Sequence, residues 1–319
     1  MSNARSIIQT KGPILALAGF ALILGYNWVV MKVGVADLPP FVFAAARAVL
    51  GAATLFTVLI VLRRSLRPPE IRHTLIVGLL QTTGMVALAT WAVVSGPSGK
   101  TAVLVNSMPL WIPLFASPIL GERIGMRWSA IALGVLGLVL MIDPRHGTGW
   151  LSDVAAVVAA VAWAAAIVVT KHLQRKSAFD PMTFTAWQVL LGSIPLVAIA
   201  LVFHAGPHVL STQSVLAVAY NGVLATGLAF VLFAYAMKSL SVTIAGAGGL
   251  SIPVIGVAAA WWQLGERPGG LEWAGMACIL GALALMASPL PKVEGRERMR
   301  GLFKPGAHDA DDHQVPQHG

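Results

Sequence analysis

The apolar residues of this chain are collected into ten blocks of roughly 17 to 24, and block length restricts the fold more than any other feature. At about 1.5 Å of rise per residue, a helix of that length crosses a hydrocarbon core of about 30 Å. The spans fall at about 13–34, 39–62, 72–94, 100–119, 127–142, 151–171, 181–203, 213–236, 242–263 and 271–288. The fifth is the shortest. Composition agrees, since the chain is 57% hydrophobic and 11% charged with a mean hydropathy of +0.77, whereas a soluble domain carries about 25% charged residues. The expected class is an all-α membrane protein. Arg5 and Lys11 precede an apolar stretch that is too long for a cleaved signal and reaches Tyr26 and Asn27 with no small-residue cleavage site, so the first helix is expected to persist. Cys278 is the single cysteine and lies inside the tenth block, which reads as a packing position.

A net charge of +9 could suggest nucleic acid, but the basic residues sit at block ends rather than on one solvated face. Arg5, Lys11, Arg63, Arg64, Arg67, Arg72, Arg123, Arg127, Lys171, Arg175, Lys176, Lys238 and five basic residues beyond 290 fall on one side; Lys32, Lys100, Arg145 and Arg267 fall on the other. That asymmetry predicts cytoplasmic termini, membrane lipids rather than nucleic acid as the contact of the basic segments, and a multi-pass location in a bacterial inner membrane. From about Pro289 the chain is polar, of mixed charge and rich in Pro, Gly and His, which predicts a disordered cytoplasmic tail over 289–319.

The second half repeats the first. Ser107, Pro109, Gly121, Glu122 and Arg123 match Ser251, Pro253, Gly265, Glu266 and Arg267 at a constant offset, and Thr83-Gly84 matches Thr226-Gly227 at nearly the same one. Pro40, Phe43 and Gly51 pair likewise with Pro181, Phe184 and Gly192, and this register sets Gln188 opposite Arg47. An odd number of spans per copy makes the second copy enter from the other face. The expected organisation is therefore an inverted pair of five-helix repeats, 1–145 and 146–288, related by a pseudo-two-fold axis in the membrane plane.

The Gly-Glu-Arg ends of the fourth and ninth blocks, Pro109 and Pro253, and the Ala-Ala-Arg-Ala-Val-Leu-Gly segment around Arg47 resemble the EamA-type family of the drug/metabolite transporter superfamily, over about residues 13–288. What the resemblance implies is export of amino acids or related small metabolites through a cavity between the two halves. The interior tryptophans incline the expectation towards aromatic or bulky apolar amino acids.

Polar side chains at membrane depth are costly unless they meet a partner or line a wet cavity, which makes them the site candidates. Asn27, Arg47, Gln81, Asn106, Gln188, Asn221 and Gln263 form the group, with several Thr and Tyr hydroxyls. Arg47 either attracts an anionic group such as a substrate carboxylate or binds backbone carbonyls to hold the bundle. Asn106 lies beside Pro109, which frees the Val105 carbonyl as Pro253 frees that of Gly249; the result is a binding feature or a plain kink. Trp163, alone among alanines, reads as cavity wall or as packing. Glu122 and Glu266 follow helix ends, where a carboxylate can accept backbone N–H groups and fix a tight loop. The expected substrate-binding set is Asn27, Gln81, Asn106, Trp163 and Asn221, with Arg47 at lower weight, in a cavity lined mainly by helices one, three, four, six, eight and nine.

All thirteen acidic residues and all eight histidines lie in loops, tails or helix ends. This predicts facilitated or exchange transport rather than a buried carboxylate relay. There is no phosphate loop, metal-ligand cluster or nucleophile with a histidine at depth, so neither an enzyme nor a cofactor or metal is expected. A carrier of phosphorylated or nucleotide-linked metabolites would need several intramembrane cations where only Arg47 is available, and a non-transporting sensor would leave the inverted repeat without purpose.

Overall fold

The computed structural model describes residues 2–125, 127–142, 149–203, 210–237, 239–240 and 242–288; the expected tail over 289–319 lies outside them. No strand occurs among the described residues, which form α1 (Ser2–Asp37), α2 (Pro40–Val61), α3 (Ile71–Ser95), α4 (Ser98–Leu120), α5 (Arg127–Met141), α6 (Gly149–Lys176), α7 (Pro181–Val202), α8 (Thr212–Met237), α9 (Val242–Leu264) and α10 (Gly270–Ala287). Eight segments have the length and apolarity to cross a membrane; Arg127–Met141 and Gly248–Leu264 are the shorter apolar ones.

Helix starts follow from local chemistry. Prolines open α2 and α7, where a missing N–H costs nothing. Asp180 caps α7 by accepting from the Thr183 N–H at 3.0 Å, and Ser211 caps α8 by accepting from that of Ser214 at 3.0 Å. Both α4 and α9 end on a glycine with a φ of +68°, Gly121 and Gly265. The following N–H groups of Glu122 and Glu266 reach back to the Ala116 and Ala260 carbonyls at 3.4 and 3.3 Å, so the two Gly-Glu-Arg motifs make the same left-handed cap.

Two helices change pitch where the repeated Thr-Gly pairs lie. Residues Gly78–Met85 of α3 and Tyr220–Leu228 of α8 are π-helical. Wide turns of this kind leave carbonyls without their usual partner. Thr83 Oγ1 donates to the Gly192 carbonyl of α7 at 2.7 Å, and Thr226 Oγ1 to the Asn221 carbonyl at 2.9 Å. The expected symmetric breaks at Pro109 and Pro253 are, by contrast, unequal. Helix α4 divides into Ser98–Val105 and Met108–Leu120, while α9 continues through Pro253. The matching serines do behave alike, with Ser107 Oγ donating to the Leu104 carbonyl and Ser251 Oγ to that of Gly248, both at 2.6 Å.

The two sequence halves are not separate bodies, because residues up to Ser288 form one compact unit. Helix α1 lies along α9, α2 along α7, α5 along α10, α3 against α6 and α7, and α4 against α6 and α9. Glycines set the closest crossings. A Cβ on Gly192 would stand 2.4 Å from the Gly78 carbonyl oxygen and 2.5 Å from Thr82 Cβ, so α3 and α7 touch backbone to backbone. Gly192→Val is therefore expected to lower stability by about 1–3 kcal/mol, read as a fall in melting temperature in detergent. Gly149→Ala, where an added Cβ meets nothing within 4 Å, should stay within about 0.5 kcal/mol.

Candidate functional site

A cavity of about 390 Å³ lies at mid-height between the helices. Its wall is mainly apolar, with Phe20, Leu24, Trp28 and Met31 from α1, Trp163 from α6, Phe230 and Phe233 from α8, and Ile252 from α9. Asn27, Arg47, Gln81, Thr82, Asn106, Thr185, Gln188 and Thr226 supply the polar groups. Five of the six residues singled out in the sequence thus border one space. Asn221 does not. It lies one turn from Ala225 and Thr226 towards the Thr212 end, fully buried, with its amide donating to the Ala217 carbonyl at 3.0 Å. The lining also includes α2, expected only through Arg47, and α7, which supplied none of the six residues. Gln188, a polar candidate at membrane depth that stands outside the expected binding set, reaches the cavity with Thr185 because α7 packs along α2 and α3, and the repeat register that pairs Gln188 with Arg47 is the signal that singles it out.

The hydrogen bonding of the polar set is incomplete. Arg47 donates Nη1 to Met31 Sδ at 3.1 Å, and no ion-pair partner for it occurs among the described residues. Asn27 gives Nδ2 to the same sulfur at 3.4 Å while its Oδ1 accepts nothing, and Gln188 Oε1 is likewise unpartnered. Both side chains are more than nine-tenths buried. Asn106 spends its Nδ2 on the Ala102 carbonyl at 2.7 Å, at the point where α4 divides. A thioether is a weak acceptor, so a half-buried guanidinium met only by sulfur keeps donors free for a stronger acceptor. Chemically, the cavity offers one cationic fork and two carbonyl oxygens inside an aromatic and aliphatic wall. That is the complement of a small molecule with an anionic group, a donor group and an apolar body.

The end of the bundle bearing the α4 N-terminus is held together by charges that the sequence places at block ends. Lys32 Nζ donates to the Val93, Val94 and Gly96 carbonyls at 2.8, 3.1 and 3.0 Å, satisfying the C-terminus of α3 with a cation. Lys100 is buried in the first turn of α4 and pairs with Asp153 of α6 at 2.9 Å and Glu272 of α10 at 3.0 Å. Asp153 does sit at a helix end, as expected, yet it is only 4% exposed. Glu266 accepts from the Ser98 N–H, Ser98 Oγ and Gly99 N–H at 2.8, 2.9 and 2.9 Å. It therefore caps another helix instead of fixing its own loop. At the opposite end Glu122 accepts from Lys171 Nζ at 2.8 Å and Arg175 Nη2 at 2.5 Å. The Lys171 hydrogen bond holds the Glu122 carboxyl below its usual range.

A bundle of long apolar helices around a mid-height cavity, with one cation without an ion-pair partner among the described residues that line it, is the architecture of a multi-pass membrane transporter of small molecules. Residues 11–143 and 150–288 each match the family described as the EamA-like transporter family, and the chain belongs to it. It is 29% identical to "Uncharacterized transporter YoaV" of Bacillus subtilis (strain 168), over 80% of this chain and 89% of that one. A second relative, 24% identical over 86% of this chain and 94% of its own, is the "Probable amino-acid metabolite efflux pump" of Salmonella typhimurium. A solved crystal structure shares the fold with a TM-score of 0.60 at 20% identity, covering 91% of this chain and 98% of that chain.

Removing Lys100 strands two carboxylates in a closed interface. Lys100→Met is expected to destabilise the protein by about 3 kcal/mol or more. Lys171→Met, at a side chain 48% exposed, should cost well under about 1 kcal/mol. Paired thermal unfolding curves in detergent check the contrast.

Proposed function

We propose that this transporter exports amino acids, with aromatic or bulky apolar side chains favoured, by alternating access across a bacterial inner membrane. In this reading all ten helices span the membrane, the termini are cytoplasmic, and residues 1–145 and 146–288 are inverted repeats that rock about the central cavity. The observation that carries the substrate assignment is Arg47, a cavity-lining guanidinium without a carboxylate partner among the described residues. The substrate carboxylate takes two of its donors in the fork geometry that a thioether cannot fill. The ammonium group meets the unpartnered oxygens of Asn27 and Gln188, with Gln81 and Asn106 completing the polar side. The side chain packs on Trp163, Phe230 and Phe233. A relative named as a probable amino-acid metabolite efflux pump supports the same class.

An apolar wall separates side chains by only about 1–3 kcal/mol per methylene, so the expected specificity is broad. No acidic side chain borders the cavity among the described residues, which supports facilitated or exchange transport in place of proton coupling. The closed end, with Glu266 and the Lys100 cluster, is then the periplasmic one.

The test is counterflow of a panel of labelled amino acids by purified protein in liposomes, with and without a pH gradient. Saturable counterflow of bulky apolar amino acids is expected, indifferent to the gradient. Loss of one charge-assisted contact, worth roughly 1.5–3 kcal/mol, should make Arg47→Gln about tenfold or more weaker in apparent affinity. Trp163→Ala should weaken large side chains more than alanine. Accumulation driven by the pH gradient would overturn the uncoupled mechanism, and absence of flux for every amino acid would overturn the substrate class.

A further inference from the structure

The Gly-Glu-Arg motifs place a carboxylate directly after the C-terminus of α4 and of α9, against the negative end of each helix's own dipole. Such a carboxylate needs positive potential from elsewhere. Glu266 finds it at the N-terminus of α4, where three donors from Ser98 and Gly99 converge on its two oxygens. The approach is close, since a Cβ on Gly99 would stand 3.1 Å from Val257 Cα and 3.2 Å from Ala260 Cβ. Glu266 thereby holds α9 against α4 across the two halves of the chain and closes that end. Glu122 finds its positive potential differently, in Lys171 and Arg175 of α6, whose side chains are 48% and 47% exposed.

The offset that relates Glu122 to Glu266 relates the first turn of α4, Ser98 and Gly99, to the first turn of α9, Val242 and Thr243. We infer that the two glutamates are alternate latches: Glu266 caps α4 in the state with the Ser98 end closed, and in the opposite state Glu122 leaves Lys171 and Arg175 to cap the N-terminus of α9. The inference rests on the alternating-access reading and adds the contacts that hold each state. Lys171 and Arg175 act as a parking site, so the pair is part of the switch rather than only a surface ion pair. Exchanging a two-cation site for a helix N-terminus keeps the carboxylate compensated in both states, which keeps the two states close in free energy.

The test uses the full-length protein in nanodiscs, with Cys278→Ala removing the native thiol and Val257→Cys as reporter. Val257 borders the cavity of about 90 Å³ that Glu266 and Gly99 also line. The readout is the rate of reaction with a charged maleimide, without substrate. Glu266→Gln should raise the rate about fivefold, the population shift expected for one lost cap. Lys171→Gln with Arg175→Gln should also raise it about fivefold, because Glu122 is freed to cap α9. Adding Glu122→Gln to that pair should return the rate towards the parent value. A purely structural Glu122 predicts no further change once its two cations are gone, and that result, or no rise in the Lys171/Arg175 variant, overturns the proposal. These three exposed or half-exposed side chains decide the question even where Glu266→Gln fails to fold. Because no substrate is present, loss of counterflow with an intact labelling cycle strikes the substrate class alone, and the reverse pattern strikes the latch alone.

Discussion

Each helix of this bundle must answer for its own polar groups, because hydrocarbon offers no water to those left unpaired. Several departures from regular helix come with a named partner. Thr226 meets a carbonyl of the π-helical stretch of α8, Thr83 ties the corresponding stretch of α3 to the Gly192 carbonyl of α7, Asn106 and Ser107 meet carbonyls at the break in α4, and Lys32 meets the C-terminus of α3. Against that background, the unpartnered oxygens of Asn27 and Gln188 and the guanidinium of Arg47, which meets only a thioether, border one cavity, whereas the unpartnered side-chain atoms of His73, Thr90 and Asn221 do not.

Packing and electrostatics divide the labour between the middle and the ends. In the middle, small residues let helices from the two sequence halves touch at backbone distance, as at Gly78 and Gly192, or at Gly137, where a Cβ would stand 2.7 Å from the Gly275 carbonyl oxygen. These contacts are dispersion-dominated and insensitive to charge. At the ends, carboxylates, lysines and helix termini hold the helices through a few directional bonds. Such bonds can be exchanged one for another at little net cost, whereas interlocked backbones cannot. That difference suits the alternating access proposed above.

Much of the candidate site was legible because a polar residue inside an apolar block has few reasons to be there. Asn27, Arg47, Gln81 and Asn106 stand out by that rule, Trp163 as one indole among alanines, and all five meet at one cavity. Asn221 satisfied the same rule and lies a turn away, its amide spent on its own helix. The rule sees depth along a helix but not which groups the helix itself can absorb. Lys100 shows the opposite failure. Near a block end it counted as a loop charge, yet it is buried between Asp153 and Glu272, which arrive from helices far along the chain. Glu266 was expected to serve its own loop and serves α4 instead, for the same reason.

What the sequence determined by itself was the all-helical membrane class, most helix boundaries, the repeat and the family, because block length, turn chemistry and motif spacing are local properties. Only the tertiary structure decided which faces of those helices look at one another. It brought α7 to the cavity beside Arg47 of α2, gathered the two halves into one unit, and matched Lys100, Glu266 and Glu122 to partners across the chain. Those outcomes depend on helix rotation and crossing, which backbone-to-backbone contacts at residues such as Gly192 settle over distances that no local pattern encodes.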